Sequence, residues 1–200
     1  MKVLLIGATG TIGRAVAAAL SPKHEVVPAS RTKSAHKVDI ADTNSIRKMY
    51  QEVGRVDAVI SAAGLAKFAP LASLTEDDFQ FCLSNKLMGQ VNLVRLGFDH
   101  VSDGGLFILT SGVLAQHPMA GSAAISVVNA GLEGFARAAA LEAPRRIRVN
   151  VVSPPWVTET LAALGMDTSQ GASADTVARA YVQTLESFGT GEVVTIGGNR

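Results

Sequence analysis

The stretch Val3-Leu4-Leu5-Ile6-Gly7-Ala8-Thr9-Gly10-Thr11-Ile12-Gly13 decides the fold. A β-branched, apolar run breaks into three glycines spaced G-x-x-G-x-x-G, and the alanine-rich residues 14–20 read as a helix. Strand, glycine turn and helix in that order are the setting in which backbone can approach a pyrophosphate. Gly7 permits the tight exit from the strand, Gly10 keeps a Cβ out of the path of a phosphate, and Gly13 lets the helix lie close on the sheet. The helix start then offers unpaired N–H groups and a partial positive charge to an anion. Glycine clusters also make plain turns, so it is the flanking strand and helix that give this one meaning.

Outward from that turn, residues 25–29, 37–40, 56–60, 106–110, 148–152 and 192–196 read as strands. Residues 45–53, 75–82, 86–100, 122–141 and 174–187 read as helices, the second opened by the capping sequence Thr75-Glu76-Asp77-Asp78. The strands are apolar throughout instead of alternating, which predicts a parallel sheet buried on both faces. The expected architecture is α/β: a doubly wound, Rossmann-type sheet of about seven strands in three layers, with ligand at the carboxyl ends of the strands. No repeat, low-complexity segment or linker interrupts the pattern, so residues 1–200 are expected to form one NAD(P)-binding domain.

Composition narrows the partners. Two hundred residues at 48% hydrophobic suit one full core, and 18 Lys and Arg against 17 Asp and Glu leave a net charge of +1. No basic stripe interleaved with aromatics is present, which argues against a nucleic-acid partner. The one cysteine, Cys82, is read as an ordinary half-buried thiol and fits a reducing compartment; no metal site is expected around it. No leader pattern or long apolar run is seen, so the expectation is a cytoplasmic protein with no membrane partner.

At the end of the second strand, Ser30, Arg31 and Thr32 stand where an acidic residue would grip a free ribose 2′-hydroxyl. A guanidinium and two hydroxyls suit a 2′-phosphate, which favours NADP over NAD; the alternative is a solvated surface arginine. Asp39 is placed either to accept from an adenine amino group or to serve as a capping or loop aspartate.

Together these residues resemble the short-chain dehydrogenase/reductase family over nearly the whole chain. Gly7 to Gly13, with Thr9, Gly10, Thr11 and Ile12 between, resemble its cofactor loop, and Asp39 and Ile40 its adenine contact. Ala62, Ala63 and Gly64 resemble the stretch ending its fourth strand beside the cofactor. Thr110-Ser111 resembles its catalytic serine, and Asn150-Val151-Val152-Ser153-Pro154 the segment leading to the nicotinamide. Thr190-Gly191-Glu192 and Gly197-Gly198 resemble its last strand. The resemblance implies hydride transfer between a nicotinamide and a small carbonyl or alcohol substrate. It also implies that Pro154 and Val157 border the nicotinamide, and that two long helices pair into a homodimer or homotetramer.

The chain departs from the family where a tyrosine, and a lysine four residues later, belong. Ile125 and Asn129 align there, while Lys86 aligns with the family's asparagine on the preceding helix. Lysine and asparagine thus look exchanged between neighbouring helices, and Lys86 either supplies a positive charge near ribose or substrate or is a surface lysine. His117 is a second candidate acid, with plain surface as its alternative. Pro154-Pro155 replaces Pro-Gly, Glu159 replaces a threonine, and Trp156 either lines the pocket or covers the core. Two functions remain open: an NADP-dependent oxidoreductase with Ser111 and a nonstandard proton donor, or a catalytically reduced NADP(H)-binding sensor or scaffold.

Overall fold

A computed structural model describes residues 1–169 and 171–196. Seven strands form one sheet in the order β3-β2-β1-β4-β5-β6-β7, and every pairing is parallel. They are β1 (Lys2–Ile6), β2 (Glu25–Ser30), β3 (His36–Lys37), β4 (Val56–Ser61), β5 (Val101–Thr110), β6 (Arg148–Ser153) and β7 (Val193–Thr195). The order runs outward from β1 in both directions, so the chain reverses between β1 and β4 and leaves a crevice at their carboxyl ends.

The pleat of β1 explains the three layers. Leu4 and Ile6 point into a core with α2 (Thr43–Val53), α4 (Met88–Gly97) and α5 (Ala123–Glu142). Val3 and Leu5 point into the other, with α1 (Thr11–Leu20) and α7 (Ala174–Glu186). A smaller cluster of Cys82, Ala124 and Val128 seats α3 (Glu76–Cys82). Each fully buried Leu, Ile, Val or Phe contributes about 1.5–3 kcal/mol relative to exposure, which is why both sheet faces need covering.

Several elements differ from the sequence expectation. The third strand is His36–Lys37, ending before Asp39. The Asp39 N–H donates to Ser45 Oγ and its carboxylate accepts from Ala41 N, a turn that ends pairing. Helix α1 begins at Thr11, three residues early, because Gly10 serves as its N-cap, and α2 begins at Thr43 because the Asp42 carboxylate caps it. The expected helix 86–100 divides into a wide π-turn, Leu83–Leu87, then α4, then a 3-10 turn, Phe98–His100. Strand β5 starts at Val101, and α6 (Thr158–Ala163) adds a helix where the sequence pattern assigned no element. Cys82 is fully buried rather than half-buried, and its sulfur accepts from Lys67 N. Gly197 and Gly198 lie outside the described residues.

Candidate functional site

Two adjoining clefts open at the carboxyl ends of the strands. The first, about 270 Å³, lies over the glycine turn and is lined by Gly7, Thr9, Gly10, Ser30, Arg31, Asp39, Ile40, Ala62, Ala63, Gly64 and Asn85, among others. Its floor is built by exclusion of side chains. A Cβ at Gly7 would lie 2.5 Å from the Ala62 carbonyl oxygen, and one at Gly13 2.0 Å from the Gly7 carbonyl oxygen. Gly7 also takes φ +82°, which a glycine adopts without strain. Its N–H and that of Ala8 both donate to the Ala29 carbonyl, which ties the turn to the end of β2.

Helix α1 is left open at its start. Its N-cap Gly10 supplies no side chain and no acidic residue stands in its first turn, whereas α2, α3 and α7 are capped by the side chains of Asp42, Thr75 and Ser173. The first N–H groups of α1, from Thr11, Ile12 and Gly13, are therefore free to bind an anion. Across the cleft, Ser30 Oγ accepts from Lys33 N and Ser34 N, so its role is to shape the loop carrying Arg31 and Thr32. Arg31 Nε lies 3.6 Å from the Asp39 carboxylate, and the Arg31 side chain is largely exposed. The Asp39 carboxylate faces Arg31 and its own turn while still lining the cleft. An uncapped helix start, a turn that admits no Cβ and an exposed guanidinium at the far rim fit the phosphates of a dinucleotide.

The second cleft, about 170 Å³, is lined by Lys86, Ser111, Gly112, Val113, Leu114, Ile125, Asn129, Pro154, Pro155 and Trp156. It adjoins the first through Gly64, at φ +140°, where a Cβ would lie 2.8 Å from Lys86 Cγ. The structure thus brings together Lys86, Ser111 and Asn129, three of the four catalytic candidates. His117 is not among the lining residues; it is exposed, and its N–H closes a turn onto the Val113 carbonyl. Val157, buried, is the N-cap of α6, and the Pro154 carbonyl accepts from Val113 N at 2.8 Å, fastening the two walls together. Trp156 lines the cleft and meets Phe68 edge to face at 5.9 Å.

The π-turn delivers Lys86. Nζ donates to the Ser111 carbonyl at 3.2 Å, and burial of the ammonium pulls its pKa down to about 8, opposed by the nearby Cys82. Asn129 Nδ2 donates to the Gly112 carbonyl at 3.3 Å, while its buried Oδ1 has no hydrogen-bond partner among the described residues. Neither tyrosine reaches the cleft lining. Tyr50 is fully buried and donates to the Leu93 carbonyl, and Tyr181 is fully buried against Thr110; burial pushes both phenols well above their ordinary range.

Two supporting residues escaped the sequence reading. Gln90 bonds both the N–H and the carbonyl of Thr110, each at 2.9 Å, which fixes the end of β5 to α4. Glu133, 4% exposed, accepts from Ser111 Oγ at 2.9 Å, from Ser153 Oγ at 3.2 Å and from Gln116 Nε2 at 3.2 Å. The signal for Glu133 was present: an acid among small and apolar residues, one helical turn after Asn129. Glu159 accepts from Ala174 N with both oxygens and so holds the start of α7.

The family model described as Enoyl-(Acyl carrier protein) reductase matches residues 7–194. The chain belongs to the short-chain dehydrogenase/reductase family. It is 33% identical over 132 residues to hydroxynaphthalene reductase arp2 of Aspergillus fumigatus, covering 64% of this chain and 48% of that protein. It is likewise 33% identical over 137 residues to versicolorin reductase 1 of Dothistroma septosporum, covering 65% and 52%. The chain spans about half the length of these curated relatives. The solved structure of the protein lin1944 from Listeria innocua superimposes with a TM-score of 0.95 at 42% identity, covering 98% of this chain and all of that one. A small-chain dehydrogenase in complex with NADPH superimposes with a TM-score of 0.87 at 24% identity, over 99% and 97% of the two chains, a likeness of fold. Among the described residues, no helix is long and apolar enough to cross a membrane and no cluster of metal-ligating side chains is found.

Proposed function

We propose that the protein is an NADP(H)-dependent oxidoreductase acting on a small carbonyl or alcohol substrate, with Lys86 in place of the family's tyrosine as the proton-bearing group. The observation that carries this reading is the Lys86 ammonium, held in an apolar cleft directly beside the dinucleotide cleft. The uncapped start of α1 holds the pyrophosphate, and Arg31 faces the 2′-phosphate. Bound NADPH supplies a hydride. Lys86 donates a proton to the substrate oxygen that the hydride leaves negative, becoming a neutral amine, and takes a proton back from solvent. A pKa near 8 leaves it mostly charged at neutral pH yet close enough to give the proton up. The aliphatic Ile125 in the cleft supports a second reading, a sensor that binds NADP(H) with little turnover.

Titration of NADPH and NADH into the protein, followed by reduced-nicotinamide fluorescence, tests the cofactor. NADPH is expected to bind at least about tenfold tighter, and Arg31→Ala to erase the difference. Turnover is followed by NADPH absorbance over a panel of ketones and aldehydes. The reduction rate is expected to fall as the pH rises through about 8, and Lys86→Met to lower it about 10²- to 10⁴-fold. Equal affinity for NADPH and NADH would refute the cofactor assignment. NADPH binding without turnover across the panel would favour the sensor.

A further inference from the structure

Glu133 is a buried acid that the proposed reaction leaves unused. Its Oε1 accepts from Ser111 Oγ and Ser153 Oγ, and its Oε2 from Gln116 Nε2. A serine hydroxyl has one proton and two lone pairs. Ser111 gives that proton to a carboxylate, the stronger kind of hydrogen bond, so it presents lone pairs to the cleft. The counterpart donor is Lys86 Nζ, which spends one of its three protons on the Ser111 carbonyl.

We infer that Glu133, by holding Ser111 as an acceptor, selects hydroxy ketones: compounds with a hydroxyl that donates to Ser111 Oγ beside a carbonyl oxygen that accepts from Lys86. The inference rests on the proposed function in one respect, that this cleft receives the substrate. A plain ketone sets lone pair against lone pair at Ser111 unless the bond to Glu133 opens. A hydroxy ketone leaves that bond intact and supplies the missing donor. The remaining walls, Val113, Leu114, Ile125 and Trp156, are apolar, and about 170 Å³ admits a small ring skeleton. Glu133 acts through Ser111 and is therefore a positioning residue.

The test is a binding comparison on the full chain, by ligand-observed NMR, of 2-hydroxyacetophenone and its methyl ether, 2-methoxyacetophenone, without cofactor. The ether keeps the skeleton and loses the donor. The hydroxy ketone is expected to bind wild type about tenfold tighter than the ether, the discrimination of one hydrogen bond. Ser111→Ala is expected to bring the ratio to about one, since the acceptor is gone. In Glu133→Gln the amide oxygen is expected to keep Gln116 Nε2 as its donor, which points its NH₂ at Ser111 and frees the serine proton for the cleft. The preference is then expected to fall to about one, because a hydroxyl oxygen and an ether oxygen both accept from that proton, whereas a merely structural Glu133 would weaken both ligands alike and leave the ratio standing. Equal binding of the two by wild type, binding of neither, or a ratio unmoved by Ser111→Ala would overturn the inference. Ser111→Ala keeps the comparison decisive should Glu133→Gln fail to fold. Failure of NADPH to bind would count against the proposed function and leave this ratio readable.

Discussion

Replacing Lys86 by methionine should stabilise the chain at pH 7 and lose that advantage as the pH rises. Burial lowers the pKa of this lysine from 10.5 to about 8, with Cys82 opposing the shift. Below about pH 8 the ammonium is charged both folded and unfolded, and folding must strip it of water, a penalty of about 3 kcal/mol for that displacement. Between about pH 8 and 10.5 the folded protein has released the proton while the unfolded chain still holds it, so the penalty shrinks; above 10.5 it is gone. Methionine forfeits the bond from Nζ to the Ser111 carbonyl, worth about 1–2 kcal/mol. The net gain at pH 7 is about 1–2 kcal/mol, or about 2–8 °C in Tm for a chain of this length. Circular-dichroism melts of both proteins from pH 7 to 10 read it directly, because every other group titrates in both and cancels in the difference. A variant no more stable than wild type at pH 7, or a margin that stays constant to pH 10, would refute the reasoning. A residue held in place against its own stability is what a functional role predicts.

Gly13→Ala should lower Tm by about 5–10 °C and weaken NADPH at least tenfold in a fluorescence titration, because its Cβ would meet the Gly7 carbonyl oxygen at 2.0 Å and force the turn open. Gln90→Leu leaves two buried backbone groups of Thr110 unpaired and should cost about 2–4 kcal/mol, read as a lower urea midpoint at unchanged m. Glu159→Ala removes the acceptor for Ala174 N at the start of α7 and should cost about 1 kcal/mol, a fall of about 2–4 °C in Tm, with NADPH affinity unchanged.

The framework was legible because it rests on local rules. Continuous apolar strands, helix periodicity and the glycine spacing at residues 7, 10 and 13 each act within one element, and together they predicted the parallel α/β sheet that the structure shows. Boundaries shifted where a single side chain intervened, as when Asp42 capped α2 and Asp39 turned the chain away from β3. The site was legible in part. Lys86 and Asn129 were singled out by their positions on two different helices, and the structure places both on one cleft. The π-turn that carries Lys86 there left no mark in the sequence, since one extra residue in a turn preserves helical composition. Gln90 and Glu133 were missed for a related reason. Their partners, Thr110, Ser111, Ser153 and Gln116, lie far away in the chain, and nothing in residues 86–100 or 122–141 names them.

Adjacent side chains of an extended chain leave on opposite sides, and this governs what the molecule can do with its two phenols. At the end of β5, Thr110 Oγ1 meets the Tyr181 hydroxyl at 2.5 Å on the side of α7, while the next residue, Ser111, turns to Glu133 on the side of α5. A phenol therefore sits one peptide away from Ser111 with the whole thickness of the sheet between them. Shifting α7 along its axis cannot bring it across. A design that adds a phenolic acid to this cleft has to place it on a lining residue, such as Ile125 on α5, and Tyr181 will remain a beam in the wall behind.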